Sequence, residues 1–547
     1  MATRIRGADA FVATLAAAKV RRIFTLSGNH VMPVFDAAID AGIELIHVRH
    51  EAAAVHMADA WARLTGEAGA ALVTGGPGHA NAVGALYTAA MAESPVVLFS
   101  GHAPHDEAGR GAFQEMRQAN IAAPLTKASW TCAGADDVAS DVEKAIAIAK
   151  GGRPGPVHVS LPTDVLEGHS REGGNPAAAE RIADDQRQIP RPEEPAFDPA
   201  PFIDRITRAK RPLILTGPAT CTKWGRERIA ILEAAAGIPV VAMESPRGVA
   251  DPSLGAFAEM LGEADCVLLL GKRLDFTLKF GKPFSADCEF LQVDADAEEI
   301  ERTRREVRAR LVHTARAPVF DAMRALTQQA LERGPMKSGW FGEVRAAIEF
   351  RPPSWEFAKA SMPGRLHPVE ALRPLQALLD SHPDSVFISD GGEFGQWAQA
   401  CLRAPHRVIN GVAGAIGPAL PFAVAARIAK PHAPIIVAMG DGTFGFHPAE
   451  IDTAVRYRLP FVVVVGNDAR WNAEHQIQLR EFGAARAIGT DLLPTRYDDV
   501  ARGFGGHGEL VTDAGRILTA ARRAIDSGLP AVLNVMIEGM AAPNIKR

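Results

Sequence analysis

The chain reads as an α/β protein made of three doubly wound parallel-sheet domains. Short apolar runs alternate with Ala-rich helical stretches along its whole length, which is the pattern of strands joined by crossover helices. Two stretches break that rhythm: 171–195 is charged, Pro-rich and without periodicity, and 331–365 carries the breakers RPPSWEF and MPGRLHP. In the last block the runs PIIVAM (434–439) and PFVVVV (460–465) flank a helical stretch with Ile451, Ala454 and Val455 at helix spacing. Strand, helix, strand of this length is a right-handed crossover, so the two strands run parallel.

The first block, 1–170, opens on an amphipathic helix over MATRIRGADAFVATLAAAKV. Its strands are expected near 22–26, 44–48, 70–74, 96–100 and 157–160, each a short apolar run bounded by turn residues. After the linker at 171–195, a middle block over 196–330 has strands near 212–215, 239–243, 266–270 and 290–293. After the second linker, 331–365, the third block over 366–547 has strands near 385–389, 434–439, 460–465 and 530–535.

Bulk numbers exclude several function classes. With 59 basic and 64 acidic side chains the net charge is −5, which argues against a general nucleic-acid or membrane-surface binder. No run of 18 apolar residues predicts a membrane span, and the first residues lack a secretory cleavage pattern. Five scattered cysteines, without CxxC or metal spacing, read as reduced thiols of a cytoplasmic protein.

The chemistry concentrates where the two strands of the third block end. Gly440-Asp441-Gly442 closes the first and Gly466-Asn467-Asp468 the second. As neighbours the strands would lie about 4.8 Å apart and end on one edge, so Asp441 and Asp468 could point at one small volume. Two carboxylates sharing a site repel unless a cation lies between them, and hard oxygen ligands suit Mg²⁺ or Ca²⁺. Mg²⁺ commonly keeps phosphate partners, and the glycines let backbone approach a diphosphate closely. A metal–diphosphate site at the carboxyl ends of parallel strands is the expectation.

The stretch GDGTFGFHPAEIDTAVRYRLPFVVVVGND resembles the fingerprint of thiamine-diphosphate enzymes over its whole length, nearest to their acetolactate synthase and benzaldehyde lyase branch. The resemblance extends over nearly the whole chain, with the three blocks as pyrimidine-binding, middle and diphosphate-binding domains. It implies thiamine diphosphate and Mg²⁺ as cofactors. The metal ligands would be the Asp441 and Asp468 side chains and the Arg470 carbonyl, and Gly440, Gly442, Thr443 and Trp471 would lie against the cofactor. Asp468 stands where the family usually has Asn. Gly391 and Gly392 match the loop that lines the aminopyrimidine. GVAGAIGPALP (411–421) matches the segment that bends the cofactor, with Ile416 as the apolar wedge and the Gly414 carbonyl beside the pyrimidine.

HVRHEAAA (47–54) resembles the branch's activating segment. A lone acid at a helix N-terminus has a plain electrostatic explanation. The resemblance instead makes Glu51 the catalytic carboxyl group that hydrogen-bonds the pyrimidine ring and promotes its imino tautomer. His30, in Gly28-Asn29-His30, and Gln114, in GAFQEM, match the reaction-pocket histidine and glutamine of benzaldehyde lyase. Glu474 and Gln478 could hold polar substrate groups or be helix surface. Gly395 replaces a pocket tyrosine of benzaldehyde lyase, which implies a different or wider cavity.

The activity implied is that of a carbon–carbon lyase, carboligase or transferase working on 2-hydroxy ketones (acyloins) or 2-keto acids through a cofactor-bound enamine or carbanion. An acetolactate-synthase-type enzyme, a 2-hydroxyacyl-CoA lyase or oxalyl-CoA decarboxylase type, and a non-catalytic homologue are the alternatives. Some relatives hold flavin in the middle domain; Gly217-Pro218 and Gly271-Lys272 follow strands there, which is weak evidence for FAD. The partners expected are a small-molecule substrate and further copies of this chain, a homodimer as the minimum and a homotetramer as the common assembly, with no nucleic acid and no membrane.

Overall fold

The structure, a computed structural model, describes residues 4–170 and 197–547, so the expected linker 171–195 lies outside the described residues. The chain divides into two compact units, Met1–Ala196 and Phe197–Arg547.

The first unit is built on one six-stranded sheet: β1 (Arg22–Thr25), β2 (Glu44–His47), β3 (Gly69–Val73), β4 (Val96–His102), β5 (Ser129–Thr131) and β6 (Val157–Pro162). The order is β2-β1-β3-β4-β6-β5 and every pairing is parallel. β3 and β6 are buried along their whole length, which is why GAALV and VHVSLP carry almost no alternation. The opening helix, Gly7–Ala17, places Phe11 edge-on to Phe99 of β4 with centroids 4.7 Å apart. Chain direction across the sheet reverses between β1 and β3, the switch point where such sheets bind ligands.

The second unit carries two parallel sheets. The five-stranded one has β7 (Pro212–Thr216), β8 (Val240–Ala242), β9 (Cys266–Leu270), β10 (Glu289–Asp294) and β11 (Leu311–Arg316), in the order β11-β10-β9-β7-β8. The six-stranded one has β12 (Val386–Ser389), β13 (His406–Ile409), β14 (Ile435–Gly440), β15 (Val462–Asn467), β16 (His507–Val511) and β17 (Ala531–Met536), in the order β13-β12-β14-β15-β17-β16. β14 and β15 are neighbours, and their register pairs Gly440 with Gly466. The switch point of this sheet falls between β12 and β14.

Four strands, β5, β11, β13 and β16, are not apparent in the amino-acid sequence. Each is an edge strand, covered on fewer sides and free to carry polar residues, as in His406-Arg407 and His507-Gly508-Glu509. The stretch 331–365, read from its breakers as a linker, differs as well. It holds the helix Trp340–Glu349, whose Trp340, Val344 and Ala347 join the core of the five-stranded sheet. The Trp340 indole N–H donates to the Pro212 carbonyl at 2.9 Å, which fixes that helix on β7. None of the five cysteines forms a disulfide, and among the described residues no helix is long and apolar enough to cross a membrane.

Candidate active site

The carboxyl ends of β12, β14 and β15 open into one cavity of ≈ 320 Å³. Gly391, Gly392, Gly414, Ile416, Gly440, Asp441, Gly442, Thr443, Asp468, Arg470 and Trp471 all line it. Asp441 opens the short helix Asp441–Phe444 directly after β14 and is 2% exposed. One of its oxygens, Oδ2, accepts the Arg470 backbone N–H at 3.2 Å. Burial pushes the Asp441 carboxyl up to about 6. Asp468 is pushed up to about 7, by burial first and by the Asp441 charge second. Two desolvated carboxyl groups that disfavour each other's ionisation form a donor set that a hard divalent cation would relieve, and all the oxygens on offer suit Mg²⁺. Among the described residues no group of three or more His, Cys, Asp or Glu forms a metal cluster, so Asp441 and Asp468 would need backbone, solvent or ligand oxygens to complete a coordination shell.

Side chains on both sides of the cleft leave room only for glycine. A Cβ on Gly391 would lie 2.8 Å from Ile416 Cγ2, and one on Gly442 would lie 2.7 Å from the Trp471 ring. Gly391 therefore lets the Ile416 loop close onto the end of β12. That loop is fixed by the buried Asp390. Its Oδ1 accepts the N–H groups of Gly391 (2.7 Å) and Gly417 (2.9 Å), and its Oδ2 accepts that of Ala419 (3.0 Å). Asn410 adds a bond from Nδ2 to the Ala415 carbonyl at 2.9 Å.

One expectation for this pocket is corrected. Gly395 does not widen the cavity, because it is absent from the lining and a Cβ there would meet the Asp390 carbonyl oxygen at 2.0 Å. Of the two roles open to Gln478, helix surface fits: it is absent from the lining, and its amide pairs in both directions with the Ile488 backbone. Glu474 does line the cavity. So do Asn410, Asn472, Glu393 and Arg247, the last two joined by a 2.7 Å ion pair. Two residues of this region, Asp390 and Arg247, carry no functional signal in the sequence. Asp390 was legible only as an acid ending a strand, and Arg247 comes from a loop after β8 with no pattern of its own.

The first unit gathers the remaining expected residues at the carboxyl ends of β1, β2 and β3. Glu51 begins the helix Glu51–Thr65 and is 9% exposed. Its Oε2 accepts Asn81 Nδ2 at 3.1 Å, and no hydrogen bond is made by Oε1 among the described residues. His30, buried in the turn Asn29–Val31, bonds Thr74 Oγ1 through Nδ1 at 3.1 Å. Burial holds His30 below the usual imidazole range, with the Phe113 backbone pulling the other way. The exposed Phe113 ring stacks on His30 at 5.9 Å and 18°. Gln114 follows with φ +58, pressed against Gly76, where a Cβ would lie 2.8 Å from its own Cβ. The loop is clasped by Glu115, whose carboxylate accepts the N–H groups of Gly109, Gly111 and Ala112. Asn81 and Thr74, which orient Glu51 and His30, carry no sequence signal that separates them from ordinary helix and turn residues.

Three family models match the chain: the N-terminal TPP binding domain of thiamine pyrophosphate enzymes over residues 5–121, their central domain over 200–326, and their C-terminal TPP binding domain over 390–535. The chain belongs to the thiamine pyrophosphate enzyme family. Acetolactate synthase large subunit IlvG of Mycobacterium tuberculosis is 32% identical over 542 residues, covering 96% of this chain and 95% of its own length. The 2-hydroxyacyl-CoA lyase 2 of Bos taurus is 31% identical, and that of Homo sapiens 30%, each covering 97% of this chain and 90% of its own length. The three parallel sheets correspond to the family's three domains, and the chain is a thiamine-diphosphate-dependent enzyme acting on carbon–carbon bonds.

Proposed function

We propose that the protein breaks or forms the carbon–carbon bond beside the carbonyl of 2-hydroxy ketones or 2-keto acids, as a lyase or carboligase. The observation that carries this reading is the single cavity in which two desolvated aspartates, the Ile416 wedge and the Gly391–Gly392 turn meet at three strand ends. In this reading Asp441, Asp468 and the Arg470 carbonyl hold Mg²⁺, which binds the cofactor's diphosphate, and Gly442 and Thr443 lie against that diphosphate. Thiamine diphosphate, when bound, supplies an acidic carbon that becomes a nucleophile and then an electron sink for the substrate.

The residues of the chain bind, bend and move protons. Ile416 would support the cofactor from below, and Asp390 holds the loop that carries it. Glu51 would exchange a proton with the bound cofactor through Oε1, the oxygen that Asn81 does not bond. His30, kept neutral by burial, and Gln114 can pass a proton to or from a substrate oxygen without fixing a charge there. Glu51 serves a cofactor seated in another copy of the chain, so a homodimer is the smallest active assembly, and a homotetramer is two of these. Sparse cysteines without disulfides suit the cytoplasm.

A second reading has 2-hydroxyacyl thioesters as substrates. It is favoured by the identity to 2-hydroxyacyl-CoA lyase 2 over 97% of this chain. The test is to strip the protein with a chelator, restore thiamine diphosphate and Mg²⁺, and assay acyloins, 2-keto acids and 2-hydroxyacyl thioesters side by side. Turnover of the first two classes supports the leading reading. Turnover confined to thioesters replaces it with the second, and activity that does not need the cofactor overturns both.

A further inference from the structure

A second cleft, of ≈ 210 Å³, is not explained by the catalytic chemistry. It lies at the other end of the helix Gly392–Cys401: Gly392, Glu393 and Phe394 face the catalytic cavity, whereas Ala400 and Cys401 line this cleft. Around it stand Arg351, Arg373 and Arg403, with Trp355 and Gln376 completing the wall. No acidic residue lines it, and among the described residues none of the three arginines has a carboxylate ion-pair partner.

Each arginine is placed by a different interaction. Arg351 is anchored to backbone carbonyls: Nε to Ala400 (2.8 Å), Nη1 to Ile348 and Phe350 (3.0 and 2.7 Å), Nη2 to Ser253 (3.1 Å). Arg373 donates Nη1 to the Trp355 carbonyl at 3.2 Å. The backbone of Arg403 is locked in both directions by the Gln376 amide, at 2.8 and 2.9 Å, which fixes where its side chain starts. Helix C-termini attract cations, and Arg351 satisfies that demand by taking the Ala400 carbonyl. The end of the helix does not need Arg373 and Arg403 as well. Burial and the Arg403 charge together lower the Arg351 guanidinium to about 10, and burial raises the Cys401 thiol to about 12, so the wall gains no negative charge from sulfur. Two acids act from outside the lining: Asp380 accepts Gln376 Nε2 at 2.8 Å, and the Asp251 charge reaches Arg351.

Arg351, whose N–H groups go to backbone carbonyls, contributes uncompensated positive charge, while the exposed Arg373 and Arg403 keep N–H groups that can bond an oxyanion in the small concavity. At ≈ 210 Å³ the space is below the roughly 300–1,000 Å³ of sites that engulf whole organic ligands, so it suits one head group. We propose that the cleft formed by Arg351, Arg373 and Arg403 binds a phosphoryl anion, as free phosphate or as the phosphate end of a nucleotide whose base lies on Trp355. This goes beyond the catalytic reading and does not depend on it.

The test uses the full chain saturated with thiamine diphosphate and excess Mg²⁺, titrated calorimetrically with inorganic phosphate and, separately, with ADP. Saturable uptake of phosphate is expected, weakened at least tenfold in the exposed pair Arg373→Ala/Arg403→Ala and abolished by Arg403→Glu, with turnover unchanged in both. Equal affinity for the two probes identifies a free-phosphate site. Tighter binding of ADP, lost in Trp355→Ala, identifies a nucleotide; both support the proposal. Asp441→Ala should leave this uptake intact even where cofactor binding is lost, which separates the cleft from the diphosphate site. No saturable uptake by the wild type, or uptake that survives Arg403→Glu but vanishes with Asp441→Ala, overturns it.

Discussion

The Asp390 carboxylate accepts the Gly417 backbone N–H at 2.9 Å, joining the end of β12 to a loop 27 residues further along the chain. With the bonds from Gly391 and Ala419, one buried side chain fixes both walls of the space expected to hold the pyrimidine ring. Asp390→Ala removes three bonds to backbone, on the order of 3 kcal/mol in all, and leaves buried N–H groups unsatisfied. Thiamine diphosphate affinity should fall tenfold or more by calorimetry, although Asp390 does not line the cavity. Unchanged affinity in a variant that still folds would show that the loop needs no such anchor.

The aspartate pair makes a prediction in two parts. Asp441→Ala should abolish Mg²⁺-dependent cofactor binding, because it removes a carboxylate at the centre of the proposed shell. Asp468→Asn should act with opposite sign in the two states. Without metal it relieves a carboxyl that burial and Asp441 both push up, so the apoprotein should melt about 2–4 °C higher. With metal it removes one negative ligand, and Mg²⁺ should bind several-fold more weakly. Melting curves with and without EDTA decide it; a variant that melts lower than wild type in EDTA contradicts the repulsion.

Both aspartates were legible because their signal is local. Each follows a continuous apolar strand, and the crossover rule alone brings the two strand ends to one edge. Central strands such as VVVV of β15 are buried on both faces and so cannot hide among polar residues. The edge strands β5, β11, β13 and β16 escaped because a half-covered strand tolerates His, Arg and Glu. The supporting residues escaped for another reason: Asp390, Asn81 and Thr74 act through contacts 27 to 44 positions away, and no periodicity encodes such a distance. Gly395 misled in the opposite direction, since its lack of a side chain serves the Asp390 carbonyl behind it rather than the cavity in front.

The Glu51–Asn81 bond separates catalysis from binding. Glu51→Gln keeps the shape and one hydrogen-bonding oxygen but cannot exchange the proton, so cofactor affinity should stay within a few-fold while kcat falls roughly 10²-fold or more. Asn81→Ala leaves the carboxyl in place but unoriented, and a smaller loss, of about tenfold, is expected in kcat with KM little changed. Steady-state kinetics on both variants check this. Normal turnover in Glu51→Gln would remove Glu51 from the proton relay.

A buried histidine pair sets the acid limit of the first unit. His79 Nδ1 and His158 Nε2 both meet Ser100 Oγ, at 2.9 and 3.2 Å, and Ser129 Oγ meets His158 Nδ1 at 2.8 Å. The rings lie 4.6 Å apart, with no room for two like charges. Burial lowers His79 to about 4 and His158 well below its usual value. Between pH 6.5 and 4 the unfolded chain therefore binds a proton at His79 that the folded chain refuses, and stability falls as pH falls. For His79 alone the loss reaches about 2 kcal/mol at pH 5. Hydrogen exchange of the β4 amides between pH 7.5 and 5 should show this loss in wild type and a correspondingly shallower fall in His79→Gln, which has no proton to gain. Equal pH dependence in the two proteins would mean that His79 gains its proton as readily in the folded chain as in the unfolded one, and the neutral Ser100-centred network would have to be abandoned.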